Sequence, residues 1–563
     1  MIRAVGHQVK WRGSGFRQVS SHPAFKALEA ELVLKPKDPE RAIEQVIAHG
    51  PYSVAEFHRR HGPPPEVTAD FIRYLSRRGL EVRQEGLSLL LRGSLRQYAE
   101  TFNVSFFVQD NKKARRYVLA RDPEFPESLH PWVAGVVGLE NLSRARPFLR
   151  TPVQKDQAPN QGQGYWPADI LNAYRFPPNL DGSGVTVGIL EFSNGYNPED
   201  LAAFWAMADV TDPKLTFVSV DGTPNDNGQN PWDAEATLDV EWVGALAPGA
   251  QIIVFEAAAG FTDAAFGLSL LKALRAALHA SQNRPQILSI SYGDGETRFP
   301  KATMEAWSAL FFEGAMTGVT TLVASGDSGA YGLQEIGRPV PHVDAPANCP
   351  WVVAVGGTHL DLGAGDTRAQ ETGWTDTNNN GASGGGISQV FMVPPYQSGL
   401  HLPLKPGMRA GRGVPDVAAN ADPDSGYAIV FQGQIGPVGG TSVAAPVWAA
   451  LLARITQGRF LRGLPALGYL HPSLYTASAE KALHDILVGN NNYFGVEGYQ
   501  CGPGWDAVTG WGTPDGQALY AYLVGVPPYQ SASAPPPSPA TTPAEAEPPA
   551  IATAQAPEQS LPG

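Results

Sequence analysis

The string Gly439-Gly440-Thr441-Ser442-Val443-Ala444-Ala445-Pro446 sets a serine at a tight glycine turn that opens a helix, with Pro446 in the early turns. A serine alcohol attacks a carbonyl only with a base beside it. None of the 12 histidines stands in a sequence context that supplies one; His61 precedes Gly62, but Pro63 follows. A different base is offered by Asp233-Ala234-Glu235-Ala236-Thr237-Leu238-Asp239-Val240-Glu241-Trp242. Glu235 and Asp239 stand four apart, so on a helix they share a face with Cβ atoms about 5–6 Å apart. Two carboxylates in a poorly solvated place do not both ionise easily; one is raised in pKa and they share a proton. Such a pair acts as a base in acid, where a histidine is already protonated. Read alone, the pair is more often an ordinary acidic, solvated helix face.

Together these motifs resemble the sedolisin (serine-carboxyl peptidase) family, and within it the kumamolisin-like pro-enzymes, from about residue 25 to 524. Subtilisins present their serine in the same Gly-Thr-Ser-x-x-Ala-Pro setting but use a histidine in His-Gly-Thr, which is absent here. The resemblance makes Ser442 the nucleophile and Glu235 and Asp239 its base pair. It also makes Asp327, in Gly326-Asp327-Ser328-Gly329, the oxyanion donor. A protonated carboxyl can donate to a developing oxyanion, whereas an ionised one repels it. By itself Asp327 reads equally as a turn residue after the apolar run 319–324. Glu191 ends the buried-strand pattern Val185-Thr186-Val187-Gly188-Ile189-Leu190-Glu191. The family reading makes it an outer partner of Glu235; the alternative is a strand-end carboxylate facing water. Kumamolisin-like chains carry Trp-Gly-Gly where this one has Tyr292-Gly293-Asp294, although a tyrosine can also hydrogen-bond to an acid network. Ser383-Gly384-Gly385-Gly386 resembles an edge that pairs with an extended peptide, or is a plain loop. Asp344 is expected to line a specificity pocket favouring basic side chains.

The resemblance further implies one structural Ca²⁺. Its ligands carry over to the carboxylates of Asp485 and Asp506 and the carbonyls of Ile486, Gly502 and Gly504. All-oxygen ligation with two charges suits a hard cation, and the glycines let the backbone turn its carbonyls inward.

These residues need a frame. Buried strand patterns at 185–191, 287–292 and 319–324 alternate with helical ones, which predicts a subtilisin-like, mostly parallel α/β sheet covered on both faces. Asp233 is expected to cap the acid-bearing helix and Pro248-Gly249 to end it. Residues 1–150 show strands near 31–34, 87–91, 104–108 and 116–120, and helices near 39–49, 67–78 and from 94. That order predicts an α/β-sandwich prosegment with an antiparallel sheet. Residues 151–164 read as an exposed linker with a cleavage site, 165–526 as the catalytic domain, and 527–563 as a disordered tail. Eleven of the 37 tail residues are proline.

The 563 residues suffice for more than one domain. Cys349 and Cys501 form no disulfide framework, and a single bridge and two free thiols both stay open. No run of about 18 apolar residues predicts a membrane span, and residues 1–7 lack a signal peptide's apolar stretch. An extracellular location therefore follows from the resemblance alone, and a cytoplasmic one stays open. Residues 1–150 carry a net +8 and the rest −21, within the total of −13. The basic residues are dispersed, so nucleic-acid binding is not indicated, and complementary charge between prosegment and enzyme is the economical account. The expected protein is a monomeric, acid-acting endopeptidase that works through an acyl-enzyme on protein or peptide substrates, inhibited by its own prosegment. A tripeptidyl-type exopeptidase or a catalytically silent binding module are the alternatives.

Overall fold

The computed structural model describes residues 16–111, 114–152, 159–211, 213–258, 265–331, 341–376, 380–476 and 480–525. The expectations for residues 1–7, for 153–158 of the linker and for the proline-rich tail lie outside them.

Apolar runs with little charge become the buried inner strands of an eight-stranded sheet, whose strands Lys214–Ser219 and Arg368–Gly373 are partly exposed. Its order is Lys214–Ser219, Gln251–Ala257, Thr186–Phe192, Ile287–Ile290, Thr320–Ala324, Val353–Leu362 and Arg368–Gly373, with Val417–Asn420 also on Val353–Leu362. All pairings are parallel except the last hairpin, Val353–Leu362 with Arg368–Gly373. From Thr186–Phe192 the chain builds outward first in one direction and then, through Ile287–Ile290, in the other. Those two strands flank the switch point, where open α/β sheets present functional groups at their carboxyl ends. Glu191 and Ser291 sit there.

Two helices complete the site. Ala234–Leu246 is buried at all of its 13 positions, and Thr441–Leu461 packs beside it in one apolar core with Leu238, Trp242, Val443 and Trp448. A helix buried all round has no amphipathic stripe, so its carboxyls are enclosed rather than solvated. Asp233 does not cap it by its side chain; its carboxylate accepts instead from the amides of Asn230 at 2.7 Å and Gly195 at 3.1 Å. The helix ends at Leu246, before Pro248-Gly249.

The N-terminal part holds an antiparallel four-stranded sheet ordered Glu81–Glu85, Ser88–Gly93, Leu28–Leu34, Val133–Val137, with helices Pro39–His49, Val54–His61, Pro65–Ser76 and Leu95–Thr101. A smaller sheet joins Arg17–Val19, Phe106–Asn111 and Ala114–Leu119. The Ser94 hydroxyl and the Gln97 side chain cap the Leu95 helix reciprocally. Helix Val54–His61 and strands Glu81–Glu85 and Val133–Val137 went unpredicted; the charged alternation of the first strand hides its pattern.

Three of the ion pairs that dock this part on the enzyme run against the net charges, while Arg150 with Asp327 runs with them and His58 meets Glu313. Glu29 pairs with Lys272 at 2.7 Å, Glu85 with Arg275 at 2.6 Å, and Glu31 with the same Arg275. Here the basic partner is on the enzyme side. Net charge describes the far field, and these contacts are set by local register. Both cysteines are free thiols. No helix among the described residues is long and apolar enough to cross a membrane.

Candidate active site

Gly440 precedes the nucleophile helix at φ 106° and ψ 160°, a conformation that favours glycine. A Cβ there would collide with the Phe148 carbonyl oxygen and stand 2.8 Å from Asp327 Oδ2, so the turn lets three chain segments converge. Ser442 follows, fully buried. Its amide donates to the Phe148 carbonyl at 3.0 Å, and its hydroxyl donates to the Ser291 carbonyl at 3.3 Å.

Glu235, Asp239 and Glu191 meet beneath it, all fully or almost fully buried. Ser291 Oγ is shared between Asp239 Oδ2 at 2.9 Å and the Ser442 carbonyl at 3.1 Å. The Tyr292 hydroxyl donates to Glu191 Oε2 at 2.9 Å and accepts from Asn194 Nδ2. Both oxygens of Glu235, Oδ1 of Asp239 and Oε1 of Glu191 are buried with no hydrogen-bond partner. Unpartnered carboxyl oxygens at close quarters are what shared protons satisfy. Burial raises all three carboxyls well above the ordinary range. The charge of Asp239 then raises Glu235 and Glu191 further. The nearby Ser442 and Ser291 hydroxyls oppose this at Glu235 without closing hydrogen bonds of normal geometry. At Asp239 the hydroxyl of Ser291 and the Glu191 carboxyl oppose it. Glu256, beside Glu191 on the neighbouring strand, is pushed up to about 9, chiefly by burial. No histidine hydrogen-bonds to Ser442, Glu235, Asp239 or Glu191 among the described residues.

Asp327 stands on the other side of Ser442. Its Oδ1 accepts from the Thr441 amide at 2.8 Å and hydroxyl at 2.9 Å, while the buried Oδ2 has no hydrogen-bond partner. Burial pushes it up to about 6, against the charge of Arg150, whose Nε lies 3.6 Å from Oδ2, and the Thr441 bonds.

The segment from Arg146 to Arg150 runs through this site as an extended chain. Arg146–Pro147 pairs antiparallel with Tyr292–Gly295, the Phe148 amide donates to Ser291 at 3.1 Å, and Arg150 bridges Gly439 through bonds of 2.9 and 2.7 Å. The Phe148 ring sits so close over Gly293 that a Cβ there would lie 2.8 Å from it. Thus the edge that pairs with this segment is Tyr292-Gly293, while Asp294 and Gly295 pair with Asp344–Ala345. Ser383 and Gly384 are buried and donate inward, to Trp374 at 2.9 Å and Gly326 at 2.7 Å. Asp344 lies buried on strand Asp344–Ala345, with burial and then Asp294 and Asp327 holding its carboxyl well above the ordinary range. Ser291, Phe148, Arg150 and Asn194 escaped the sequence reading. The one usable signal was the strand-end position of Ser291.

The five residues expected around calcium come together in one loop region. Gly504 N donates to Asp485 Oδ2 at 2.8 Å and Gly502 N to Asp506 Oδ2 at 3.1 Å. Asp485 Oδ1 is buried with no partner, and the carbonyls of Ile486, Gly502 and Gly504 accept no hydrogen bond among the described residues. An orphaned carboxylate oxygen beside free carbonyls fits a hard cation.

Comparison with known proteins agrees with this frame. The profile described as the subtilase family matches residues 222–470, and that of the pro-kumamolisin activation domain matches residues 15–142. Kumamolisin of Bacillus sp. (strain MN-32) is 37% identical over 506 residues, 86% of this chain and 89% of that protein. Sedolisin of Pseudomonas sp. (strain 101) is 30% identical over 72% of this chain and 70% of its own length. Tripeptidyl-peptidase 1 of Mus musculus is 31% identical, over 71% and 72%. The solved structure of Pseudomonas sedolisin, a serine-carboxyl proteinase complexed with pseudo-iodotyrostatin, superposes with a TM-score of 0.56 over 64% of this chain and 98% of that one, at 30% identity. A subtilisin-like sheet behind an activation domain thus defines the class, a serine-type peptidase made with its own prosegment. The chain belongs to the sedolisin family.

Proposed function

We propose that this protein is an acid-acting serine-carboxyl endopeptidase whose first substrate is its own Phe148–Leu149 bond. The observation that carries the reading is the Phe148 carbonyl held 3.0 Å from the Ser442 amide, on the Asp327 side of the nucleophile. Ser442 Oγ bonds to the Phe148 carbonyl carbon while its proton passes to Glu235. The developing oxyanion is met by the Ser442 amide and a protonated Asp327. Glu235 then hands the proton to the Leu149 nitrogen as the C–N bond breaks, and water cleaves the acyl-enzyme by the reverse use of the same groups. Asp239 holds and tunes Glu235, with Ser291 positioning both the pair and the nucleophile. Glu191 is the outer member of the chain of acids.

A chain continuous from Arg146 through Arg150 occupies both sides of Ser442, which favours an endopeptidase. An exopeptidase of the tripeptidyl type requires a free amino end a fixed distance before the scissile bond. A silent module would have no use for so many buried, unpartnered carboxyl oxygens around one serine. Residues 1–150 act as the intramolecular inhibitor, 151–164 as linker and 165–526 as the catalytic domain, so the proposed cut falls just before the linker in which the sequence places it. One Ca²⁺ held by Asp485, Asp506 and the carbonyls of Ile486, Gly502 and Gly504 fixes the loop that carries them. That ion supplies rigidity and takes no part in the chemistry.

The test is to acidify pure full-length protein and read the new amino terminus. Cleavage that begins at Leu149, absent in Ser442→Ala, is the expected result. Maturation of pure Ser442→Ala, or greatest activity at alkaline pH, sinks the reading.

A further inference from the structure

Glu313 lies on helix Lys301–Met316 of the catalytic part with its side chain fully buried. Its Oε1 is 2.8 Å from Nε2 of His58, on prosegment helix Val54–His61, and 2.6 Å from Nε2 of His279, which ends helix Phe266–Leu278. Its Oε2 is buried with no hydrogen-bond partner. The three donor atoms lie within 4.8 Å of one another, and no other such trio of His, Cys, Asp or Glu occurs among the described residues. The imidazoles meet edge-on at 72° with centroids 5.8 Å apart. Their side chains stay 24% and 21% exposed, enough for a solute to reach them. A cavity of about 200 Å³ lined by His58, Gly62, Pro63, Gln84 and Gly86 opens beside them.

We propose that His58, His279 and Glu313 form a binding site for a divalent first-row transition ion, zinc being the fitting case, that staples the prosegment to the catalytic part. Two imidazoles and a carboxylate suit such an ion and not calcium, which takes oxygen ligands. Three protein ligands leave a fourth position for water, and the cavity gives it room. With imidazoles alone, two donors crowd one carboxylate oxygen while the other oxygen stays unpartnered inside the protein. An ion at that corner would engage both rings and balance the buried charge. One ligand comes from the prosegment and two from the enzyme, so the site is complete only in the pro-form. An ion that binds the assembled form alone stabilises it by mass action. None of this depends on the peptidase chemistry proposed above.

The experiment uses full-length Ser442→Ala protein at neutral pH, stripped with chelator and resupplied with calcium, then titrated with zinc chloride. One zinc per chain by calorimetry and a raised melting temperature are expected. His58→Gln keeps a donor for Glu313 and sits on a partly exposed helix, so it should fold, yet bind zinc at least about tenfold more weakly and lose the melting shift. His279→Gln should do the same. No stoichiometric zinc, or zinc binding unchanged in both variants, overturns the proposal and leaves a hydrogen-bonded ion pair.

Discussion

The amide of Ser442 and the carbonyl of Phe148 are joined at 3.0 Å, so this serine already holds the oxygen of a peptide bond from its own prosegment boundary. The hydroxyl of the same serine donates to the Ser291 carbonyl, not to Glu235. On the mechanism proposed above, the pro-form thus holds the bond to be cut before the serine has passed its proton to the acid pair.

On the mechanism proposed above, the base is a carboxyl pair and no histidine. Glu235→Gln and Ser442→Ala should each lower kcat by about 10⁴, and Asp239→Asn by roughly 10² or more. Single histidine substitutions in the catalytic part should leave the chemical step within about tenfold, about 1.4 kcal/mol of barrier. Steady-state assays on a denatured protein at acid pH decide this; one folded histidine variant without activity refutes it.

Because the Phe148 ring lies against Gly293, the residue before the cut is expected to be large and apolar. Phe148→Tyr or Phe148→Leu should mature at rates close to the parent. Phe148→Asp should slow release of the amino-terminal fragment at least about tenfold, since a polar carboxyl would replace the apolar ring packed against Gly293. Mass spectrometry after timed acidification measures it. Equal rates for all three would remove Phe148 from the specificity site.

Stability should fall as pH rises through the site's raised carboxyls. Their folded-state values exceed the unfolded ones, so the folded chain holds protons that the unfolded chain releases. That contribution is complete below the ordinary carboxyl range and is lost through the raised values. For Asp327 the window runs from 3.8 to about 6. It corresponds to roughly 3 kcal/mol. In a Ser442→Ala background, Asp327→Asn should therefore gain on its parent by up to about 3 kcal/mol between pH 4 and pH 7 in urea unfolding. A constant difference across that range would mean Asp327 is not the titrating group.

Calcium should matter to stability alone. Chelation is expected to lower the melting temperature of the parent, while Asp485→Ala should melt lower and no longer respond to added calcium. A parent indifferent to chelator would dismiss the ion.

Docking of the prosegment should depend on different groups from those that net charge suggests. Glu29, Glu31 and Glu85 are the negative partners of Lys272 and Arg275. Arg275→Ala should thus speed maturation at intermediate pH, measured by the loss of full-length chain. Unchanged timing would show that these pairs do not hold the inhibitor.

Much of this was legible because chemistry and burial leave strong marks. The spacing of Glu235 and Asp239 gave the shared helix face, and apolar runs ending at Glu191, Ser291 and Ala324 gave the buried parallel strands. Strand Glu81–Glu85 was not legible because its charged face is solvated on an antiparallel edge. Phe148 and Arg150 were not because an extended segment that pairs through its backbone needs no side-chain pattern. Asp233 reads as a cap, yet tertiary amides compete for its carboxylate and win. The polarity of the docking pairs was hidden for a related reason: a total charge says nothing of which residues meet.

Helix Ala234–Leu246 has no face on solvent, which bears on how this enzyme can fail. Its backbone amides should exchange with deuterium only through opening of the surrounding core, so the two acids cannot be displaced by a local fluctuation. Heat should then remove activity and fold together, and any activity left after a heat pulse should count intact molecules rather than damaged ones.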